Sequence, residues 1–298
     1  MSGREWHGLF NIDKPAGWTS RAVVDRVQGL VGRKVKIGHA GTLDPLATGV
    51  LVVCVGAATR LVDRIQADAK GYRAGLRLGI RSDTDDLTGQ IEAGADPAGL
   101  SAEKLQEVCQ EFVGSISQVP PKFSAVHVEG RRAYDLARKG QTFELTARTV
   151  QVYAATVRDF QGADAAVDIV CGSGTYIRSL IRDVGERLGC GAVMTSLRRT
   201  FIGPFAVEDA LAGEDLTVDC LAEGLLPLKS AIGRMPVYAA NGEECSALLQ
   251  GRAIPDRAAA NGDAQERMAI LDETGELFAF ADRDAARGLL LPRQVFVR

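Results

Sequence analysis

The sequence predicts an α+β chain: a mixed, largely antiparallel sheet with packed helices, followed by a small β-rich domain. Apolar strand-like runs and helix-like stretches follow one another irregularly, which does not spell the alternating βαβ units of a parallel sheet. Past Pro227 and Gly233 to Pro236 the pattern changes to short strands separated by Asp, Gly and Pro turns. That change sets the expected domains at 1–230 and 231–298. A chain of 298 residues is long enough to bury a full core in the larger unit.

Each element has its own signal. Gly8 to Asp13 predicts a strand ending at Lys14-Pro15. Thr19 or Ser20 can cap a helix with Val23, Val24, Val27 and Leu30-Val31 on its apolar face, closed by Gly32. Val50 to Val55 is continuously apolar, as a buried central strand is. Ala58 to Ile65 predicts a short helix, and Tyr72 to Leu78 a half-buried strand. Ser101 caps a helix carrying Leu105, Val108 and Phe112. Ser124 to Val128 and Thr149 to Phe160 read as strands, with Ala133 to Lys139 helical between them. Ala165 to Cys171 is a further strand. Thr175 to Leu188 is helical, with Ile177, Leu180, Ile181, Val184 and Leu188 on one face. Arg198 to Val207 reads as extended. In the tail, Met268 to Asp272, Leu277 to Phe280 and Val295 to Val297 read as strands. Ala258 to Gln265, poor in bulky apolar residues, is expected to be mobile.

Composition excludes several classes. No apolar run approaches the roughly 20 residues that span a bilayer, and the start lacks the layout of a secretion signal. The six cysteines show no Cys-x-x-Cys pair and read as reduced core residues of a cytoplasmic protein. With three scattered histidines, no metal centre is expected. The net charge of −3 hides an asymmetry. Residues 1–81 hold 13 Lys/Arg against 6 Asp/Glu, and residues 209–298 hold 9 against 15. A basic N-terminal part suits a polyanion. Arg33, Lys34 and Lys36 are its candidate phosphate contacts, although short charge runs are usually just solvated.

One loop stands out chemically. Gly38 to Gly49 reads Gly-His-Ala-Gly-Thr-Leu-Asp-Pro-Leu-Ala-Thr-Gly and runs straight into the Val50 strand. Asp44 is its lone acid. Pro45 restricts Asp44 to extended geometry, and the glycines allow close backbone approach. Local chemistry alone reads Asp-Pro first as a turn; a stiffly held carboxylate at a strand mouth is also what an acid catalyst needs.

Further segments narrow the choice. Asp13-Lys14-Pro15 with Gly17, Lys70-Gly71-Tyr72-Arg73, and Arg81 to Asp86 with Gly89 occur in that order. Gln118 to Ala125 with Gly130, Tyr134 and Ala137-Arg138 follows, then Gly174-Thr175-Tyr176-Ile177-Arg178 and Leu197-Arg198-Arg199. Together with the Asp44 loop they resemble the TruB-type pseudouridine synthases, in their stand-alone bacterial form, along nearly the whole chain. Gly71 departs from that pattern, standing where a larger residue is expected.

The resemblance implies the pseudouridine synthase fold, with the active cleft across the sheet, and a C-terminal PUA-like domain. It implies isomerisation of one uridine in the T loop of tRNA, position 55, to pseudouridine, by base flipping and without a cofactor. Asp44 would be the catalytic carboxylate, Arg178 its cationic partner and Tyr72 the platform for the flipped base. Lys14 would support the loop or contact phosphate. His39 would enter the RNA, and Tyr176 and Leu197 would line the pocket. Taken singly, each of these has a blander reading: a solvent-facing arginine, a core tyrosine, a surface lysine, a structural histidine, plain packing. The expected partner is the T-arm stem-loop of tRNA, with no guide RNA, no membrane and a monomeric enzyme. The competing readings are a tRNA-binding or folding protein on the same fold, and an acid-dependent hydrolase. The latter needs a second carboxylate across the bond. The only other acidic cluster, Asp83 to Asp86, sits in a Thr/Gly turn and reads as structural.

Overall fold

The computed structural model describes residues 5–257, except 125 and 129, and residues 266–296. The chain opens with β1 (Gly8–Lys14) and α1 (Ser20–Val31), then β2 (Ile37–Ala40) and β3 (Thr48–Val55) on either side of the Asp44 loop. A 3-10 segment, Gly56–Leu61, leads into α2 (Val62–Ala67) and β4 (Lys70–Leu78). The hairpin of β5 (Ile80–Ser82) and β6 (Ile91–Ala93) encloses the acidic turn. Next come α3 (Ala102–Glu111), β7 (Gly114–Gln118), the hairpin of β8 (His127–Val128) and β9 (Arg131–Arg132), and α4 (Ala133–Arg138). The main unit continues through β10 (Arg148–Gln161), β11 (Asp164–Cys171), α5 (Ile177–Arg187), β12 (Ala192–Ile202), β13 (Phe205–Ala206), β14 (Leu211–Ala212) and α6 (Val218–Glu223). The tail holds β15 (Val237–Ala239), α7 (Gly242–Leu249), β16 (Ile254–Pro255), β17 (Arg267–Leu271), β18 (Leu277–Asp284) and β19 (Leu289–Val295).

Among the described residues, ten strands form one sheet in the order β14-β1-β3-β12-β4-β11-β10-β7, with β2 on β3 and β13 on β12. The sheet is mixed and largely antiparallel, as expected; only β1–β14 and β3–β12 run parallel. The β3–β12 contact is registered at two positions, Thr48 with Arg198 and Gly49 with Arg199. The sheet therefore parts at its middle, next to the Asp44 loop. Gly49 makes the crossing possible: its φ is +100°, and a Cβ there would lie 2.1 Å from the Arg199 carbonyl oxygen.

The continuous apolar run of β3 is buried on both faces. Leu51, Val53 and Val55 pack with Phe10, Val24 and Val27. Val50, Val52 and Cys54 face the other way, onto Leu61 and Ile65. Phe280 and Phe296 of the C-terminal sheet join that second cluster. A third cluster sets α5 and α3 against β4, β11 and β12. The C-terminal sheet has the order β15-β17-β18-β19-β16.

Most predicted caps are present. The Thr19 hydroxyl accepts from the Ala22 N–H at 3.0 Å, and Gly32 closes α1. Ser101 caps α3. Four segments differ from expectation. α5 begins at Ile177, not Thr175: Tyr176 is the extended N-cap, its N–H donating to the Gln118 side chain and its carbonyl accepting from both Gln118 and the Leu180 N–H. The strand expected over Ser124–Val128 shrinks to β8: the Ser124 carbonyl is taken by the Tyr134 N–H at 3.0 Å and the Phe123 carbonyl by Arg178. Ala125 lies outside the described residues. The extended stretch Arg198–Val207 is the end of β12 plus β13, turned at Gly203, whose φ is +53°. The final strand runs Leu289–Val295 and accommodates Pro292 at a register shift opposite Ala281. The segments 258–265 and Val297 lie outside the described residues. No helix among the described residues is long and apolar enough to cross a membrane.

Candidate active site

The Asp44 loop is tied down before it does anything chemical. The Asp44 carbonyl accepts from the Ala47 N–H at 3.0 Å, so the Asp-Pro turn is real. The Ser20 hydroxyl accepts from the Leu43 N–H at 2.8 Å and donates to the Leu43 carbonyl at 3.1 Å. The Pro45 carbonyl accepts from the Gly17 N–H at 2.8 Å. At the far end, the Gly49 N–H donates to the Asp13 carboxylate at 3.1 Å, and Arg198 pairs with the same carboxylate at 2.6 Å. A loop fixed at these points presents Asp44 with little conformational freedom left to lose.

Lys14 is the innermost of these ties. Its Nζ donates to the carbonyls of Pro15 at 2.8 Å, Trp18 at 2.6 Å and Pro45 at 3.3 Å. An ammonium has three donors, so none remains for a phosphate, and the side chain is fully buried. Of the two roles the sequence allowed, loop support is the one the geometry bears; direct phosphate contact is corrected. Burial pulls the ammonium down to about 8, with the Asp44 charge opposing that fall.

Asp44 and Arg178 meet as expected: Arg178 Nη2 lies 3.0 Å from Asp44 Oδ2. Their exposures differ, at 7% for the Arg178 side chain and 39% for Asp44. The arginine is therefore an interior brace and the carboxylate is open to solvent. Arg178 sits in the first turn of α5, where a cation is disfavoured by the helix dipole. Its compensation comes from several segments. Nη1 pairs with Asp86 at 3.4 Å and donates to the Thr84 carbonyl at 3.0 Å, and Nη2 donates to the Phe123 carbonyl at 3.1 Å.

Asp86 is the residue the sequence reading missed. Its carboxylate is buried, and its Oδ1 accepts from Thr84 Oγ1 at 2.7 Å, the Thr88 N–H at 2.9 Å and Thr88 Oγ1 at 2.5 Å. The acidic turn is structural, as predicted, and what it supports is the arginine that holds Asp44. Asp85, beside it, adopts a φ of +62° and pairs with Arg182 at 2.9 Å. Thr-x-Asp-x-Thr is a readable side-chain-to-backbone pattern, but nothing local to it says which cation it faces.

Gln118 is a second miss. It is fully buried; its Oε1 accepts from the Tyr176 N–H at 2.8 Å and its Nε2 donates to the Tyr176 carbonyl at 3.1 Å. This clasp fixes the entry to α5 two residues before Arg178. Tyr176 itself is half-buried at the helix cap, its hydroxyl pushed up by burial while Ser124 opposes the shift.

Tyr72 lies on β4, buried, in one apolar cluster with Leu43, Ala47, Ile177 and Leu197. Burial pushes its hydroxyl up, the neighbouring Arg199 guanidinium pulls it down, and the Asp44 charge adds to the rise. Asp44, Tyr72, Arg178, Tyr176 and Leu197 are thus drawn into one site from four separate segments. Gly71 also finds its reason: a Cβ there would lie 2.1 Å from Cε1 of the Phe201 ring. His39 is on β2, half-buried, opposite Val53. Its imidazole is pulled down by burial and by the Arg199 and Arg21 charges, which favours the neutral ring at pH 7. All six cysteines are free, and the described residues contain no cluster of metal-ligating type.

Comparison with known proteins agrees with this geometry. Residues 29–177 match the model of the TruB family pseudouridylate synthase N-terminal domain, and residues 178–232 match that of the tRNA pseudouridylate synthase B C-terminal domain. A protein named tRNA pseudouridine synthase B from Gloeobacter violaceus is 50% identical over 208 residues, 68% of this chain and 70% of its own. One of the same name from Trichormus variabilis is 38% identical over 294 residues, covering 97% of this chain and 98% of its own. Among solved structures, a Cbf5-Nop10-Gar1 complex superimposes with a TM-score of 0.75 at 29% identity, over 98% of this chain and 85% of that one. Family models that together span residues 29–232, and a relative 38% identical over nearly the whole chain, admit one assignment for this braced carboxylate: the chain belongs to the TruB family of pseudouridylate synthases.

Proposed function

We propose that this protein isomerises a single T-loop uridine of tRNA, position 55, to pseudouridine, with Asp44 as the reacting carboxylate. The observation that carries the reading is the Arg178 guanidinium bridging Asp44 and the buried Asp86. It keeps an anion aimed into the cleft beside Tyr72. The reaction breaks the bond from C1′ to N1 and forms one from C1′ to C5. Nothing is oxidised and nothing but the C5 proton is exchanged, so no cofactor is required. Asp44 either attacks C1′ or deprotonates the sugar; both need the ionised form.

The other residues follow from this. Tyr72 stacks under the extracted uracil and relays the C5 proton, its oxygen accepting that proton as its own O–H proton passes on to solvent. Tyr176 and Leu197 wall the pocket. His39, as a neutral ring, enters the RNA and stacks where the uridine has left. Lys14 holds the loop. The substrate is the T-arm of tRNA, bound without guide RNA by a monomer, with residues 1–230 as the catalytic unit and 231–298 as a PUA-like domain. Arg33, Lys34 and Lys36 are exposed just ahead of the Asp44 loop and suit the phosphate backbone.

The test uses full-length tRNA and an isolated T-arm hairpin, each tritiated at uracil C5, with no added cofactor. Both should release tritium from one uridine, and Asp44→Asn should release none while still binding tRNA. Tight binding without release by the unaltered protein would instead favour a tRNA-folding role.

A further inference from the structure

Arg199 is among the largest fully buried side chains of the protein, at 1% exposure. No carboxylate of the described residues pairs with it. A buried, unpaired guanidinium is costly, and an apolar side chain of similar size would pack the same space more cheaply. Its hydrogen bonds show where it acts. Nε donates to the Val50 carbonyl at 2.7 Å and Nη2 to the Gly41 carbonyl at 3.0 Å. These two carbonyls bracket the loop that carries Asp44. Across the sheet, Arg199 on β12 stands directly opposite Tyr72 on β4, and directly opposed residues of an antiparallel pair share a face. At Gly41 the fit is close: a Cβ would lie 3.4 Å from Arg199 Nη1.

We infer that Arg199 is a positioning residue for this reaction: one guanidinium fastens both ends of the Asp44 loop to β12, the strand paired with the one that presents Tyr72. It sets the distance between the carboxylate that works at C1′ and the hydroxyl that relays the C5 proton. The inference rests on the roles proposed above for Asp44 and Tyr72. The charge has a second consequence. Lys14, His39, Lys70 and Tyr72 all feel it, each being pulled toward its deprotonated form by Arg199. Asp44 and Cys171 face Tyr72 as well and push the opposite way. Losing the cation therefore shifts these four groups toward their protonated forms.

The experiment compares Arg199→Gln and Arg199→Lys with the unaltered protein and Asp44→Asn, using single-turnover tritium release, tRNA affinity and thermal unfolding. A loop displaced by about 1 Å costs on the order of 100-fold in rate. Arg199→Gln should lose that much in the single-turnover rate, with tRNA affinity within about threefold. Its pH–rate profile should shift to higher pH. Arg199→Lys keeps the charge but not the fork, so its profile should stay in place while its rate remains low. If Arg199→Gln does not fold, the lysine variant decides alone by its rate-against-affinity split. Rates near that of the unaltered protein, or losses of rate and affinity in equal proportion, overturn the inference. Absence of release by the unaltered protein would instead overturn the function proposed above, so the two failures are distinct.

Discussion

Replacing Gln118 with alanine tests whether the site depends on a residue that cannot touch the substrate. The Gln118 amide makes two hydrogen bonds, to the N–H and the carbonyl of Tyr176. Each is worth about 0.5–1.5 kcal/mol net, and more where the abandoned group stays dry. The Ala variant should therefore lose about 2 kcal/mol of stability. For a unit of this size that lowers the midpoint by roughly 4–8 °C. The first turn of α5 would then be free to take up Tyr176, and Arg178 would rotate away from Asp44. Its single-turnover tritium release should fall by about tenfold or more, with tRNA affinity nearly unchanged. Differential scanning calorimetry and single-turnover release measure both quantities on the same sample. An alanine variant that melts and turns over like the unaltered protein would refute the idea that this clasp sets the arginine.

Asp86→Asn keeps the shape of the buried acid but removes half of the charge balance around Arg178; a rate loss of about 10–100-fold is expected, and an unimpaired rate would detach Asp86 from the site. Lys14, held down to about 8 by burial, gives a pH signature. Between about 8 and the unfolded value of 10.5 the folded chain binds fewer protons than the unfolded one, so this group's contribution to stability rises with pH. Activity should do the reverse, falling above about 8 as the ammonium that clamps three carbonyls is lost; an alkaline loss of activity that tracks melting would contradict this. Replacing Arg33, Lys34 and Lys36 together with serine should weaken tRNA binding and reduce its slope against log salt by up to about 3. An unchanged slope would place the phosphate contacts elsewhere.

Much of the fold was readable because its signals are local. Thr19 and Gly32 bracket α1 as their cap preferences dictate. The unbroken apolar run of β3 announced burial on both faces, and the structure supplies both coverings. The misses share a cause. α7 carries a capping box, Asn241 with Glu244, but it sits in a tail whose turns suggested strands alone. Pro292 weakened the signal for β19, since a ladder with a proline needs a register shift that no pattern announces. Tyr176 belongs to the helical pattern of α5 by composition and is instead its extended cap, clasped by Gln118, 58 residues earlier.

The sequence by itself determined the main strands and helices around the site, the lone acid in a stiff glycine loop and the ordered motifs that mark the family. Tertiary structure alone decided how that acid is held. Arg178 lies between Asp44 and Asp86, and Arg199 between Gly41 and Tyr72, because β3, β12 and β4 are neighbours in one sheet and α5 packs against it. Periodicity and capping act over a few residues, so they fix elements. Charge pairing acts through space, and only the register of non-consecutive strands says which charges meet.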